Sequence, residues 1–326
     1  MPVIKKGLFL LGFLFSFYLS DGQQTHLNPT SYWVFIPYIY NPAIVGSKDF
    51  LSIDLNAAFQ GKSNTKIVSG NTRLSKTRSG YFSSPDITEF NNIGIGGSVF
   101  NDVNGSFQNI GVSAIGSYQI PISTRKLSFL SIGISAKGVY NILDTSSIEP
   151  RIPSRKTFYP NLDLGIYFFS TNFFTGLSTT NLLGNQENPD SLGIYAIPVS
   201  RQYFFTAGYK ILLSRSLNII LEPSVLINAY YSTFLINSSE PVFKKISDNF
   251  NPIIKLYVDN FCIGSYFLRN EKTLFFIQYR YPTFYAGAFC ELPKKSPYFK
   301  KTPIVEFTIG INIQIDKSRF SRYSHW

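Results

Sequence analysis

The stretch Thr302-Pro303-Ile304-Val305-Glu306-Phe307-Thr308-Ile309-Gly310-Ile311-Asn312-Ile313-Gln314-Ile315-Asp316 decides the fold. Val305, Phe307, Ile309, Ile311, Ile313 and Ile315 are apolar, and every residue between them is polar or small. Successive side chains of a strand point to opposite faces, so one face here is continuously apolar and the other continuously wettable. A tilted strand of about 9–11 residues is what the wall of a membrane β-barrel requires.

The same pattern recurs along the chain. Phe50 to Gln60 sets Leu51, Ile53, Leu55, Ala57 and Phe59 against Ser52, Asp54, Asn56 and Gln60. Further alternating stretches fall at about 66–75, 92–101, 109–121, 127–141, 160–169, 172–180, 201–213, 216–228, 252–259, 260–269, 273–281 and 283–290. With the first and last strands they predict a transmembrane, antiparallel, up-and-down β-barrel of about fourteen strands, an even number as single-chain bacterial barrels have. Connections should alternate between short periplasmic turns and longer outer loops. Most do, but 76–91 is too long for a turn and 269–272 too short for an outer loop.

Composition agrees with a barrel. Aromatic residues make up 17% of the 326 residues and charged residues 15%, with two cysteines and a net charge of +11. Soluble domains carry about 25% charged residues. The mean hydropathy is +0.04, as expected of strands that meet lipid on one face and water on the other. A soluble β-sandwich or propeller would need more charge, and no repeat of about 40–50 residues carries a blade signature.

Residues 1–22 read as a signal peptide. Lys5 and Lys6 precede an apolar run from Leu8 to Leu19, followed by small residues at Ser20 and Gly22. Residues 23–47 do not alternate. Pro29, Pro37 and Pro42 make them an extended, aromatic, non-helical lead-in to a barrel spanning 48–316. A basic tail, 317–326, is expected on the periplasmic side.

Catalytic chemistry finds little footing. His26 and His325 are the only histidines and lie beside the two ends of the mature chain, so no inner base or metal cluster can be built on histidine. Asp144, Glu149, Asp163, Glu187, Asp190 and Glu222 show no paired spacing. Gly94-Ile95-Gly96-Gly97 lacks the lysine and the strand-loop-helix setting of a phosphate cradle and reads as a bend or a crowded barrel interior. Neither an enzyme, nor a cofactor, nor a nucleic-acid partner is expected. Cys262 and Cys290 form no disulfide framework.

Several motifs carry a resemblance. Tyr40-Asn41-Pro42-Ala43-Ile44-Val45-Gly46-Ser47 stands directly before the first strand. Asn101-Asp102-Val103-Asn104-Gly105, Tyr159-Pro160-Asn161-Leu162-Asp163-Leu164-Gly165-Ile166-Tyr167, Phe174-Thr175-Gly176-Leu177-Ser178 with Asn181-Leu182-Leu183, Phe205-Thr206-Ala207-Gly208-Tyr209, and Leu221-Glu222-Pro223-Ser224 follow in order. In kind and spacing they resemble the PorP/SprF family, outer-membrane proteins of the type IX secretion system of Bacteroidota. The resemblance makes Asn41, Pro42, Ala43 and Gly46 the family signature, in a lead-in that either packs against the lumen or its periplasmic mouth or merely turns into the first strand. It implies a non-enzymatic barrel that binds a secreted cargo bearing a C-terminal sorting domain, such as a gliding adhesin, and an OmpA-like periplasmic protein. Tyr285-Ala286-Gly287 lacks the family's acid, Glu306 alone survives of a His-Glu pair, and Phe59-Gln60-Gly61 lacks a tryptophan element. These departures imply a divergent paralogue with a particular cargo.

Two basic clusters are candidate contacts: Lys294, Lys295, Lys300 and Lys301 in an outer loop, and Lys317, Arg319 and Arg322 in the tail. Lipid phosphate or an acidic partner would meet such charges, although charge runs commonly serve only as solvated surface. The alternative function is a diffusion porin with an open lumen.

Overall fold

The computed structural model describes residues 32–48, 50–61, 63–75, 90–105, 107–123, 127–143, 155–183, 201–230, 249–268, 272–280, 283–293 and 304–313. The expected signal peptide, the tail and both basic clusters lie outside the described residues.

Fifteen strand segments follow in chain order: β1 (Leu51–Gln60), β2 (Ser63–Ser75), β3 (Phe90–Asn104), β4 (Phe107–Ser123), β5 (Ser128–Leu143), β6 (Arg155–Phe169), β7 (Phe173–Thr180), β8 (Gln202–Tyr209), β9 (Ile211–Ser214), β10 (Ile219–Tyr230), β11 (Phe250–Val258), β12 (Phe261–Leu268), β13 (Lys272–Arg280), β14 (Phe284–Pro293) and β15 (Val305–Ile313). Both β8 and β9 pair with β10. Gly208 opposes Ser224 and Ile211 opposes Leu221, so the two segments continue one register and form a single wall strand. The break, Lys210, falls where the shared register sets it opposite Glu222, next to Pro223, which has no N–H to give to the ladder. The wall therefore has fourteen strands.

Each strand pairs antiparallel with its sequence neighbours, β11 pairs with β10, and β1 pairs with β15 from Leu51↔Ile313 to Phe59↔Val305. The sheet is thus a closed barrel without a free edge, the arrangement that satisfies every backbone group inside a bilayer. All fourteen stretches expected from alternation are strands.

The two faces sort as an inside-out protein. Ile309 is 56% exposed and Leu177 60%, while Ser52, Asp54, Asn56, Asp163, Gln119 and Thr308 are buried in the lumen. Lumenal polar groups bond across strands, as Thr65 Oγ1 does to Asp102 Oδ1 at 2.6 Å and Ser98 to Ser113 at 2.7 Å. Lumenal aromatics lie over glycines directly opposite them. Phe100 covers Gly111, Phe174 covers Gly208, Phe276 covers Gly264, and Tyr285 covers Gly310. A Cβ at any of these glycines would meet the ring.

At the rim holding the start of β1 and the end of β15, the wall strands are joined by short links at 124–127, 170–172, 215–218, 259–260 and 281–283. The opposite rim carries the long connections 144–154, 181–201, 231–249 and 294–304. Short turns mark the first rim as periplasmic. Connections 76–89 and 269–271 depart from the rule, as expected from sequence. So do 61–62 and 105–106 at the outer rim, where the alternation predicts a longer loop over 101–108 but β3 and β4 run on to within two residues of each other.

The lead-in differs from the extended segment expected. It forms a helical turn, Tyr32–Phe35, and 3-10 turns at Pro37–Ile39 and Pro42–Ile44. Proline fixes φ near −65° and suits the first position of a helical turn, so Pro37 and Pro42 start turns rather than prevent them. Within the lumen these turns also close backbone bonds locally, such as Ile44 N–H to Asn41 O at 3.0 Å.

The inside-out sorting sets an expectation for Ile309→Arg, at the middle of β15. The variant should lose about 2–4 kcal/mol of folding stability in lipid. Urea titration of folding into phosphatidylcholine vesicles measures the loss, and an unchanged midpoint would contradict a lipid-facing Ile309.

Candidate functional site

The lead-in fills the barrel as a plug. Trp33, Phe35, Ile36, Tyr38, Tyr40, Ala43 and Val45 are all buried. Trp33 stacks on Tyr40 with ring centroids 5.1 Å apart, and both rings pack against Phe204 of β8 at 5.4 and 5.3 Å. Phe35 meets Phe276 and Phe289 edge-on at 6.2 and 6.4 Å. The plug and the inner wall thus share one apolar cluster.

The signature residues form the tightest contact of this plug. The Asn41 carboxamide accepts from the Ala43 N–H at 3.1 Å and donates to the Ile166 carbonyl of β6 at 3.2 Å. It thereby caps the turn that Pro42 begins and ties it to the wall. Val45 O accepts from Ser117 Oγ at 2.6 Å and from Gln119 Nε2 at 3.3 Å. Four wall glycines lie beneath. A Cβ on Gly133 would meet Pro42 and Ala43 backbone atoms, one on Gly94 would meet Val45 O, and ones on Gly165 and Gly176 would meet the Asn41 side chain. Ala43 is wholly buried, and Gly46 adopts φ +70° with its α-carbon side against Gly94. Only glycine adopts that backbone freely, and a side chain there would also clash.

A second node fixes the plug to the first strand. Asp54, 1% exposed, accepts from Tyr38 OH at 2.8 Å, from Ser52 Oγ at 2.9 Å and from Tyr285 OH. Tyr38 OH also lies 2.8 Å from Ser69 Oγ, from which it can accept. Burial and then the Asp54 charge hold the Tyr38 phenol far above its usual range, so it stays a donor. A buried carboxylate needs such donors.

Motif residues scattered in sequence meet in the lumen. Asp163 of β6 pairs with Lys137 of β5 at 2.9 Å and accepts from Asn181 N–H at 3.0 Å, while Lys137 also donates to Asn181 Oδ1 at 3.2 Å. Glu222 of β10 opposes Lys255 of β11 and bonds it at 2.9 Å, accepts from Tyr257 OH at 3.1 Å and lies 3.6 Å from Lys210. The acids read as scattered are, at these two positions, neutralised by lysines on neighbouring strands. Asp144, Glu149, Glu187 and Asp190 lie outside the described residues.

Sequence analysis singled out Asn41, Pro42, Ala43 and Gly46, and the structure gathers them at the glycine floor. It missed Tyr38, Asp54, Tyr285, Gly133 and the lysine partners. The Gly94 stretch is part of that floor and lies in strand β3. Cys262 and Cys290 are free and lie in β12 and β14.

The fold and plug define a class: a fourteen-stranded β-barrel of the outer-membrane type whose lumen is filled by its own N-terminal segment. Residues 22–311 match the family model of the type IX secretion system membrane protein PorP/SprF. The chain belongs to that family and is an outer-membrane protein. No match is found among curated proteins. Similar solved structures include a KdgM porin, at 8% identity over 81% of this chain and 99% of that one, TM-score 0.37. The CdiB barrel from Acinetobacter baumannii is 10% identical over 81% of this chain and 60% of that one, TM-score 0.42. The autotransporter NalP translocator domain from Neisseria meningitidis is 7% identical over 81% of this chain and 87% of that one, TM-score 0.38.

The glycine floor sets an expectation for Gly133→Val. Its side chain would collide with plug backbone, which cannot rotate away, and should dislodge the plug. Planar-bilayer recordings should show large openings for this variant and none for the wild type. Gly116→Val, where a Cβ meets nothing within 4 Å, should behave as wild type. Equal conductance of all three would separate the plug from pore closure.

Lys137→Met should leave the Asp163 carboxylate buried without its ion partner. A loss of about 3–5 kcal/mol in urea unfolding is expected. The double variant Lys137→Met/Asp163→Leu should recover most of it.

Proposed function

We propose that this barrel binds and anchors a secreted surface protein as it leaves the type IX system, a gliding adhesin being one such cargo, and that its periplasmic face couples to envelope machinery. Membership of a secretion-system family supports the first step, and the filled lumen is the single observation that carries the reading against a diffusion porin. A porin needs an open aqueous path, whereas here nine lead-in side chains between Trp33 and Val45 are buried inside the wall. The likeness to a porin of known structure is one of fold alone.

In this reading the barrel works by binding and does no bond chemistry. The wall holds the protein in lipid, and the long connections at the outer rim, including 181–201 and 231–249, supply a surface on which a C-terminal sorting domain is held. Lys294, Lys295, Lys300 and Lys301 fall in the connection between β14 and β15 and are proposed contacts of that domain or of lipid phosphate. Lys317, Arg319 and Arg322 follow the last strand and are proposed contacts of an OmpA-like periplasmic protein. The losses around Tyr285 and Glu306 support a dedicated cargo over a general one.

A tagged chain purified from detergent-solubilised outer membranes tests the reading. Mass spectrometry should recover a large protein with a C-terminal sorting domain, and replacing all four loop lysines by glutamine should reduce that recovery. Recovery of the barrel alone, under conditions that keep other outer-membrane complexes intact, would overturn it.

A further inference from the structure

Between the plug and the periplasmic rim lies a cavity of about 220 Å³, bounded by inward-facing side chains. One side is aromatic. Phe129 of β5 and Phe169 of β6 stack at 5.3 Å, Tyr167 stacks on Phe169 at 5.6 Å, and Phe174 of β7 continues the surface. The Arg73 guanidinium lies over Phe129 at 5.3 Å. The other side is cationic, with Lys255 and Arg280 on β11 and β13, and Lys48, from the segment before β1, also lines the cavity.

Among the described lining side chains four, Lys48, Arg73, Lys255 and Arg280, are cations and one, Glu222, is an anion. Glu222 is already committed, since it bonds Lys255 and Tyr257 and lies near Lys210. Arg280 donates from Nε to Gln278 Oε1 at 2.9 Å and lies over Tyr257 at 5.5 Å, while Lys48 lies over Phe50 at 5.6 Å. Among the described residues, neither Lys48 nor Arg280 forms an ion pair with a carboxylate. Like charges held together in a partly enclosed space repel one another, and an incoming anion would relieve that repulsion. Burial lowers the Lys48 ammonium to about 8; Asp54 opposes that shift, and Arg280 and Lys255 add smaller contributions to it.

We propose that this cavity is a binding site for an acidic peptide segment with aromatic side chains, presented from the periplasm. A carboxylate would lie between Lys48 and the planar fork of Arg280, which suits carboxylate geometry. A neighbouring aromatic side chain would stack on Phe129 and Phe169. Peptide fits better than a bilayer lipid, because the lining side chains face the lumen and the lipid lies on the other side of the wall. The site adds a ligand chemistry to the periplasmic coupling proposed above and rests on that reading. Its test reads peptide binding directly and is therefore separable from recovery of a cargo.

Fluorescence anisotropy on the full chain in detergent micelles gives the test. The probe is a rhodamine-labelled hexapeptide alternating phenylalanine and aspartate, compared with the same peptide carrying asparagine. The aspartate peptide should bind at least about tenfold more tightly, as a desolvated charge-assisted contact implies. Arg280→Gln and Lys48→Gln should each remove most of that preference. Lys48 precedes the wall strands, so its variant reports binding without threatening the barrel, and heat-modifiable gel mobility confirms that both variants fold. Equal binding of the two peptides, or an undiminished preference in both variants, would overturn the proposal. Tighter binding of dodecyl phosphate, with displacement of the peptide, would overturn it in favour of a lipid phosphate.

Discussion

Everything in this molecule depends on how closely the backbone of the lead-in approaches the inner wall. A plug inside a barrel carries its own peptide groups into a space with little water, where unpaired donors and acceptors cost several kcal/mol each. Here the wall meets that demand at short range. Ser117, Gln119 and the Ile166 carbonyl take up the plug's polar groups, and the glycines at 94, 133, 165 and 176 remove the Cβ atoms that would hold the two backbones apart. The Asn-Pro-Ala signature is the other half of the same contact. Asn41 caps and bridges, Pro42 starts the turn, and Ala43 is wholly buried with its backbone against Gly133 of β5.

Charge in the lumen follows from the same enclosure. Buried carboxylates persist where they are ion-paired or richly hydrogen-bonded, and Asp163, Glu222 and Asp54 each have such company. Asp163 has a lysine and a backbone N–H. Glu222 has lysines and a tyrosine, and Asp54 has three hydroxyls. Tyr38 and Tyr285 reach Asp54 from the plug and from the far end of the chain. One carboxylate therefore links the lead-in, the first strand and β14 beside the closing seam. That seam, β1 on β15, pairs the chain's two ends, so plug placement and barrel closure are coupled through Asp54.

The wall was legible in the sequence because its physical cause is local. Lipid outside and polar groups inside impose a period of two on each strand separately, and no distant residue is needed to read Ile309 against Thr308. The break at Lys210 was not legible, since it falls on the strand facing Glu222 and Pro223 and shows only once the two strands are paired. The plug's turns were hidden for a similar reason. Pro37 and Pro42 are compatible with extended chain and with the first position of a helical turn, and at Pro42 the turn is the one that packs on β4, β5 and β6. Gly133 reads like any strand glycine until Pro42 is placed above it. Lys137 and Asp163, or Asp54 and Tyr285, become partners only through register.

The two ends of the lumen then differ in kind. Toward the outer rim the plug is packed by aromatic rings, with Trp33, Tyr40 and Phe204 in one cluster and Phe35, Phe276 and Phe289 in another. Toward the periplasmic rim the same inner wall leaves space, and it lines that space with arginine, lysine and open aromatic faces. A barrel meant only to be sealed would gain more by filling that volume with apolar side chains, since a void forfeits dispersion contacts and neighbouring cations repel. Closure above and an electropositive recess below are therefore separate properties of one lumen. The first is imposed by the glycine floor, and the second is set by the side chains of Lys48, Arg73, Lys255 and Arg280.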